Sequence, residues 1–233
     1  MLELIVYPKS KEAGVLSFSP FCAKSEALLR FAKIDFKCTE FTGNPAKFSN
    51  SKLPVLRDGS REIHDSALIE AYLVDKFSLK LDDHLSETEK AQGFAFSRMQ
   101  DEYLYWAVLC ERWLEDENFA KLRDRYFAAI PSLIRPIMTG MIRSSMKKST
   151  IGHGMGRHDP ETRFQFGKAA IDALAQQLGD KPFLFGDQIS SYDLTAHSFI
   201  SNCLYIDLAP KLQAHAKSIK SLEPYAQRVF ELL

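Results

Sequence analysis

Residues 2–7, Leu-Glu-Leu-Ile-Val-Tyr, are a compact apolar run that predicts a buried first strand. A polar loop through Gly14 follows, and then Ala23, Ala27, Leu28 and Phe31 recur at helical spacing behind Ser19-Pro20. Serine is a strong N-cap, and proline at the first helical position gives up an N–H that would be unpaired anyway, so a helix is predicted from Pro20. Phe36-Lys37-Cys38-Thr39-Glu40-Phe41 begins with apolar/polar alternation and reads as a second strand. Gly43-Asn44-Pro45 and the polar run to Lys52 predict a loop with room for a short helix. Leu53-Pro54-Val55-Leu56 sets a proline at the start of a short apolar strand, a position that accommodates a cis peptide. Two short strands flank Arg57-Asp58-Gly59-Ser60, whose Asp-Gly is a hairpin signal. A helix is expected from about Ser66 to Phe77, with Leu68, Ile69, Tyr72, Leu73 and Phe77 on one side.

Beyond a polar link at residues 78–85 the pattern is helical throughout. Ser86-Glu87-Thr88-Glu89 is a capping box that opens a long helix predicted to reach about Glu117. Its apolar set includes Phe94, Met99, Tyr103, Trp106, Leu109, Cys110 and Trp113. Pro131 and Pro136 punctuate the next helical stretch. Asp159-Pro160 opens another helix, which stops at Gly179. In Phe183-Leu184-Phe185-Gly186-Asp187-Gln188-Ile189-Ser190-Ser191-Tyr192-Asp193-Leu194, Ser190 caps a helix and Asp193 reaches back to its N–H. Ile189 and Leu194 are placed to form a hydrophobic staple.

The chain has 233 residues, 45% of them hydrophobic, enough for one large core or two modest ones. Its 30 basic and 30 acidic residues cancel, which argues against an electrostatic nucleic-acid binder. Most of the 17 phenylalanines are expected in the core. Cys22, Cys38, Cys110 and Cys203 are scattered without zinc or disulfide-framework spacing, so free thiols and a reducing, cytoplasmic compartment are expected. The N-terminus lacks the basic region and apolar run of a signal peptide, and no apolar stretch approaches a membrane span. The basic run at Arg143–Lys148 reads as a solvated helix face.

Candidate chemistry concentrates in the first third. A hydroxyl (Ser19) and a thiol (Cys22) sit at the positive end of a helix, where backbone N–H groups favour a developing anion. Ser19 also reads as a plain N-cap, and one serine can serve both ends. Asp65-Ser66 opens the next helix, where capping alone would account for the pair. Gly152-His153-Gly154-Met155-Gly156 is glycine-rich but follows a helical, basic stretch rather than a strand, so it makes a poor phosphate loop. His153 and His158 lack a neighbouring Cys/Asp cluster, and a flexible inter-helix loop is expected there. Tyr7 reads as core or rim packing, and Tyr103, Tyr105 and Trp106 as core or domain-interface residues.

Taken in order, the Ser-Pro-Phe-Cys helix start, Leu-Pro-Val-Leu, the Asp65-Ser66 helix start and the segment from Phe183 to Ser198 resemble the glutathione S-transferase superfamily. Within it, Gly154-Met155-Gly156-Arg157-His158 before Asp159-Pro160, together with Ser-Pro-Phe-Cys, resembles the failed-axon-connections and metaxin-like branch. The resemblance implies a thioredoxin-like α/β domain over residues 1–78, a linker over 79–85 and an all-α domain over 86–233. It further implies reduced glutathione as co-substrate. The backbone of Leu53, before a cis-Pro54, would take the cysteinyl part, and Asp65 and Ser66 the γ-glutamyl part. Ser19 would be the catalytic residue that stabilises the thiolate for conjugation to a small hydrophobic electrophile. The helix carrying Tyr103, Tyr105 and Trp106 corresponds to the one that lines the electrophile pocket. Cys22 matches the interior cysteine of a redox Cys-x-x-Cys whose first member Ser19 replaces, and it is expected to be a buried packing residue. A non-catalytic scaffold or adaptor, and a thiol reductase working through Cys22, are the alternatives. A homodimer is the oligomer that the resemblance suggests.

Overall fold

Strands β1 (Leu2–Val6), β2 (Phe36–Glu40), β3 (Val55–Asp58) and β4 (Arg61–His64) form one sheet in the order β2-β1-β3-β4. The computed structural model describes residues 1–128 and 130–233. β1 and β2 run parallel, which requires a crossover, and α1 (Pro20–Phe31) supplies it. β3 is antiparallel to both β1 and β4. The predicted hairpin turns at Gly59-Ser60, where Gly59 takes φ +61°, a conformation open to glycine without strain. Between β2 and β3 the chain makes a single helical turn at Pro45–Lys47, and α2 (Ser66–Phe77) closes this half.

The remainder is helical: α3 (Glu87–Met99), α4 (Tyr105–Leu114), α5 (Asp116–Tyr126), α6 (Arg135–His153), α7 (Pro160–Leu178), α8 (Ser191–Tyr205), α9 (Pro210–Ser218) and α10 (Leu222–Glu231). The small mixed sheet and the helical half together have the architecture expected from the sequence. α8 is buried on nearly every side and packs against α1, α3, α9 and α10, so it forms the axis of the helical half. Its capping box is formed: Asp193 accepts from the Ser190 N–H at 2.9 Å and the Ser190 hydroxyl at 2.6 Å. The same carboxylate accepts from Leu184 N–H at 2.8 Å and the Tyr225 hydroxyl at 3.0 Å, tying the preceding loop and α10 to the start of α8. One continuous apolar cluster crosses both halves, with a smaller one around Trp113, Phe119, Leu122, Ile206 and Leu208.

Two expectations are corrected. The long helix from Ser86 does not run unbroken to Glu117. It widens into a π-type turn at Gln100–Leu104 and ends at Leu114, with Glu115 extended at φ −79°, ψ 126°. The break is stabilised because the freed carbonyls are taken: Arg143 donates to Trp113 O and Leu114 O at 2.8 Å each, and Asn118 donates to Glu111 O at 3.0 Å. The segment around His153 is no flexible loop. α6 continues through His153, Gly154 ends it at φ +109°, and Met155–Arg157 form a helical turn that buries Met155. A Cβ on Gly156 would come within 2.8 Å of the Thr150 backbone, so this crossing needs glycine. Among the described residues no helix is long and apolar enough to cross a membrane.

Candidate functional site

Strand register gathers the candidate residues at one end of the sheet. β1 ends at Val6, and Ile5 lies opposite Val55 in the antiparallel β1–β3 pair. The end of β1 therefore adjoins the start of β3, where Leu53-Pro54 sits. Val55 pairs with His64, which brings Asp65-Ser66 to the same end. α1 crosses back between parallel strands, so its N-terminus, with Ser19, also lies there. Tyr7 leaves β1 at this edge as well, half-buried against the core.

Ser19 is the N-cap of α1, and its Oγ accepts from Cys22 N–H at 3.4 Å. The cap uses a lone pair and leaves the hydroxyl proton for another acceptor. The loop that delivers Ser19 is fixed from the helical half. Arg112 of α4 is buried and donates to Phe18 O at 3.3 Å, to Asn202 O and to Asn202 Oδ1, while its guanidinium lies 4.9 Å from the Phe18 ring centre. Asn202 Nδ2 donates to Ser17 O at 3.0 Å, and Ser17 Oγ accepts from Ser19 N–H at 3.2 Å.

Cys22 is fully buried, and desolvation pushes its thiol up to about 12, so it is a packing residue as expected. Burial likewise raises Tyr7 well above the ordinary phenol value, keeping it a neutral hydroxyl. Leu53–Pro54 is cis, and Leu53 is buried. Asp65 caps α2 by accepting from Ala67 N–H at 2.8 Å, and it does so at φ +82°, ψ 132°. That backbone conformation is unfavourable for a residue with a Cβ, and such strain clusters at ligand clamps. Ser66, buried at the first turn of α2, lines a small cavity with Lys24, Ser25, Glu70, Ser191 and Thr195 at the seam between the halves. Desolvation raises the Glu70 carboxyl above its usual range.

The aromatics in and just before α4 divide. Tyr105 packs edge-on against Phe21 of α1 at 4.8 Å, making it a residue of the seam between the halves. Trp106 stacks face to face with His153 at 4.2 Å, while His158 sits edge-on to Phe166, so the two imidazoles go to different aromatic partners. Tyr103 remains partly exposed beside Phe166.

A glutathione S-transferase N-terminal domain model matches residues 20–118, and a C-terminal domain model of the same family matches residues 167–229. The chain belongs to the glutathione S-transferase superfamily. The isoprene-epoxide–glutathione S-transferase of Rhodococcus sp. (strain AD45) is 33% identical over 202 residues, covering 84% of each chain. Failed axon connections of Drosophila melanogaster is 28% identical over 214 residues, which are 87% of this chain and 50% of that protein. Mouse metaxin-1 is 26% identical over 201 residues, 82% of this chain and 63% of that protein. These relatives include the branch that the sequence resembles. A crystal structure of a Methylobacterium radiotolerans glutathione S-transferase in complex with glutathione sulfonate shares the fold, with TM-score 0.58 at 16% identity over 98% of this chain and 94% of that one.

Two elements of this transferase-fold site had no role in the sequence reading. Lys24 and Arg112 each stand inside apolar helix faces, Lys24 among Ala23, Ala27 and Leu28 and Arg112 among Leu109, Cys110 and Trp113. A charge on a face that must be buried is the signal that could have marked them.

Proposed function

We propose that the protein binds reduced glutathione at the end of the sheet where β1 meets β3 and transfers its thiolate to a small hydrophobic electrophile. The observation that carries this reading is the state of Ser19. As N-cap it accepts from Cys22 N–H, so its own proton is free to donate to sulfur at the positive end of α1. A hydrogen bond to the ionised sulfur lowers the thiol pKa and raises the population of nucleophile near neutrality. The backbone of Leu53 would pair with the cysteinyl unit. Asp65 would meet the γ-glutamyl ammonium, and Ser66 with the start of α2 its carboxylate. Phe21 and Tyr105, in edge contact at the seam, would offer the electrophile an aromatic wall. The similarity to an isoprene-epoxide–glutathione S-transferase supports conjugation as the reaction class.

A second reading, a transferase-fold scaffold without turnover, draws on the similarity to Failed axon connections and metaxin-1. The burial of Cys22 and its raised pKa count against a reductase that would use it as nucleophile. Four free cysteines fit a reducing, cytoplasmic compartment. A two-fold homodimer would cover the exposed Leu68 of α2 and Phe94 of α3.

Calorimetric titration with reduced glutathione, followed by an epoxide, halide and enone panel, tests the proposal. Saturable binding with turnover supports it. No heat at millimolar ligand overturns the site, and binding without turnover on any electrophile favours the scaffold.

A further inference from the structure

Residues 125–158 contain Arg125, Arg135, Arg143, Lys147, Lys148 and Arg157 but no aspartate or glutamate, in a chain whose basic and acidic residues number 30 each. α6 occupies most of this stretch. Its inner face is accounted for: Thr139 and Thr150 are buried, and Ile142 and Met146 pack on the smaller apolar cluster. Arg143 caps α4 and pairs with Asp116, Arg135 donates to Ala128 O and Ile130 O, and Arg125 pairs with Glu12. The opposite face is also apolar. Leu133 is 90% exposed, Ile137 67% and Met141 70%, with Ile134, Met138 and Ile151 exposed beside them. Lys147 and Lys148 are exposed further along the helix. Leu133, Ile137, Met141 and Lys148 fall on one side at helical spacing. The helix therefore turns to solvent a stripe that is apolar at its start, cationic at Lys147 and Lys148, and apolar again at Ile151.

We propose that this outward face of α6, extended by Leu133 and Ile134, docks on the surface of an anionic lipid bilayer. A headgroup layer meets the apolar and the cationic parts of the stripe at once: acyl chains receive the isoleucine and methionine side chains, and lipid phosphates receive the lysines. With no carboxylate between Arg125 and His158, nothing in the segment repels that phosphate. A second copy of this chain fits the face less well. Two-fold pairing would set Lys147 and Lys148 against the partner's lysines or its apolar rim, and this stretch offers no carboxylate to neutralise them. The helix lies along the surface and does not cross it.

Flotation of the whole protein with vesicles tests the proposal, using phosphatidylcholine alone and phosphatidylcholine mixed with phosphatidylglycerol. The wild type should float with the mixed vesicles at low salt, be partly released at high salt, and float poorly with phosphatidylcholine alone. Ile137→Glu with Met141→Glu should abolish flotation. Lys147→Gln with Lys148→Gln should weaken it roughly fivefold for each lysine removed. All four positions are exposed, so unchanged thermal melting should accompany these losses. The proposal is overturned if the wild type ignores mixed vesicles, binds both compositions equally, or floats no better than the glutamate variant. It is equally overturned if the wild type self-associates without binding vesicles and the glutamate variant disperses it, which would assign the face to a second copy.

Discussion

Lys24 of α1 and Asp101, in the widened turn between α3 and α4, meet at 3.0 and 3.1 Å across the seam between the sheet half and the helical half. Both are almost fully buried, and Arg98 reaches the same carboxylate. Removing one partner of a buried pair leaves the other charge desolvated, at a cost of about 3–5 kcal/mol. The two positions are not equivalent, however. Lys24→Met leaves Asp101 paired with Arg98, whereas Asp101→Asn deprives Lys24 of its carboxylate. Chemical denaturation should find Asp101→Asn the more damaging by at least about 1 kcal/mol. Equal losses would mean that Arg98 contributes nothing at this seam.

A pH dependence follows from His197 of α8. Its imidazole lies buried beside Phe230 of α10, and desolvation pushes its pKa down from 6.5 to about 4. Between those values the unfolded chain binds a proton that the folded chain excludes. Stability is therefore fully present above the unfolded value and falls as pH drops towards the folded one, by up to about 3 kcal/mol. Denaturation midpoints measured from neutral pH downward should fall for the wild type and fall less for His197→Leu. Parallel losses in the two proteins would assign the acid sensitivity to another group.

The elements that sequence reading located are those whose signal is local. Ser19-Pro20, Asp58-Gly59, and Ser190 with Asp193 each fix a cap or turn within four residues, and each forms as expected. What escaped is non-local. Lys24 and Asp101 are 77 residues apart, and Arg112 and Phe18 are 94 apart, so no pattern within either segment announces the contact. The end of α4 was hidden for the same reason. The polar run Glu115-Asp116-Glu117-Asn118 interrupts the apolar periodicity without fixing the last helical residue, and the stop at Leu114 is stabilised by Arg143, about thirty residues downstream.

Asp65 combines two roles that substitution can separate. Its carboxylate caps α2, while its backbone sits at φ +82° and ψ 132°, outside the left-handed helical well, a conformation that glycine tolerates better than any residue with a Cβ. Asp65→Asn keeps a capping oxygen, and Asp65→Gly relieves the strain at a small capping cost, so folding stability should change by no more than about 1 kcal/mol in either. Glutathione affinity, by contrast, should drop by about 1.5–3 kcal/mol when the charge is lost. If calorimetry shows both variants binding like the wild type, Asp65 is a cap alone.

Ser19 and Cys22 stand three residues apart, and the proposed chemistry needs only the first. Ser19→Ala removes the donor to sulfur, so the thiolate absorbance of bound glutathione should titrate closer to its value in free solution. Conjugation at neutral pH should fall by about ten- to a hundredfold, the scale of one charge-assisted hydrogen bond. The same change removes an N-cap worth about 1 kcal/mol, so a matched loss of folding stability is expected and should be measured alongside. Ser19→Thr retains both hydroxyl roles and should restore the titration and most of the rate. Cys22→Ala trims a fully buried side chain and should cost stability while leaving the thiolate titration in place. Both variants should therefore lose some stability, but only Ser19→Ala should move the thiolate titration. A Ser19→Ala protein that keeps both titration and rate reduces Ser19 to a cap and favours the scaffold. A Cys22→Ala protein that folds, binds glutathione and loses all turnover would require the buried thiol to become exposed during the reaction, and the reductase reading would then prevail.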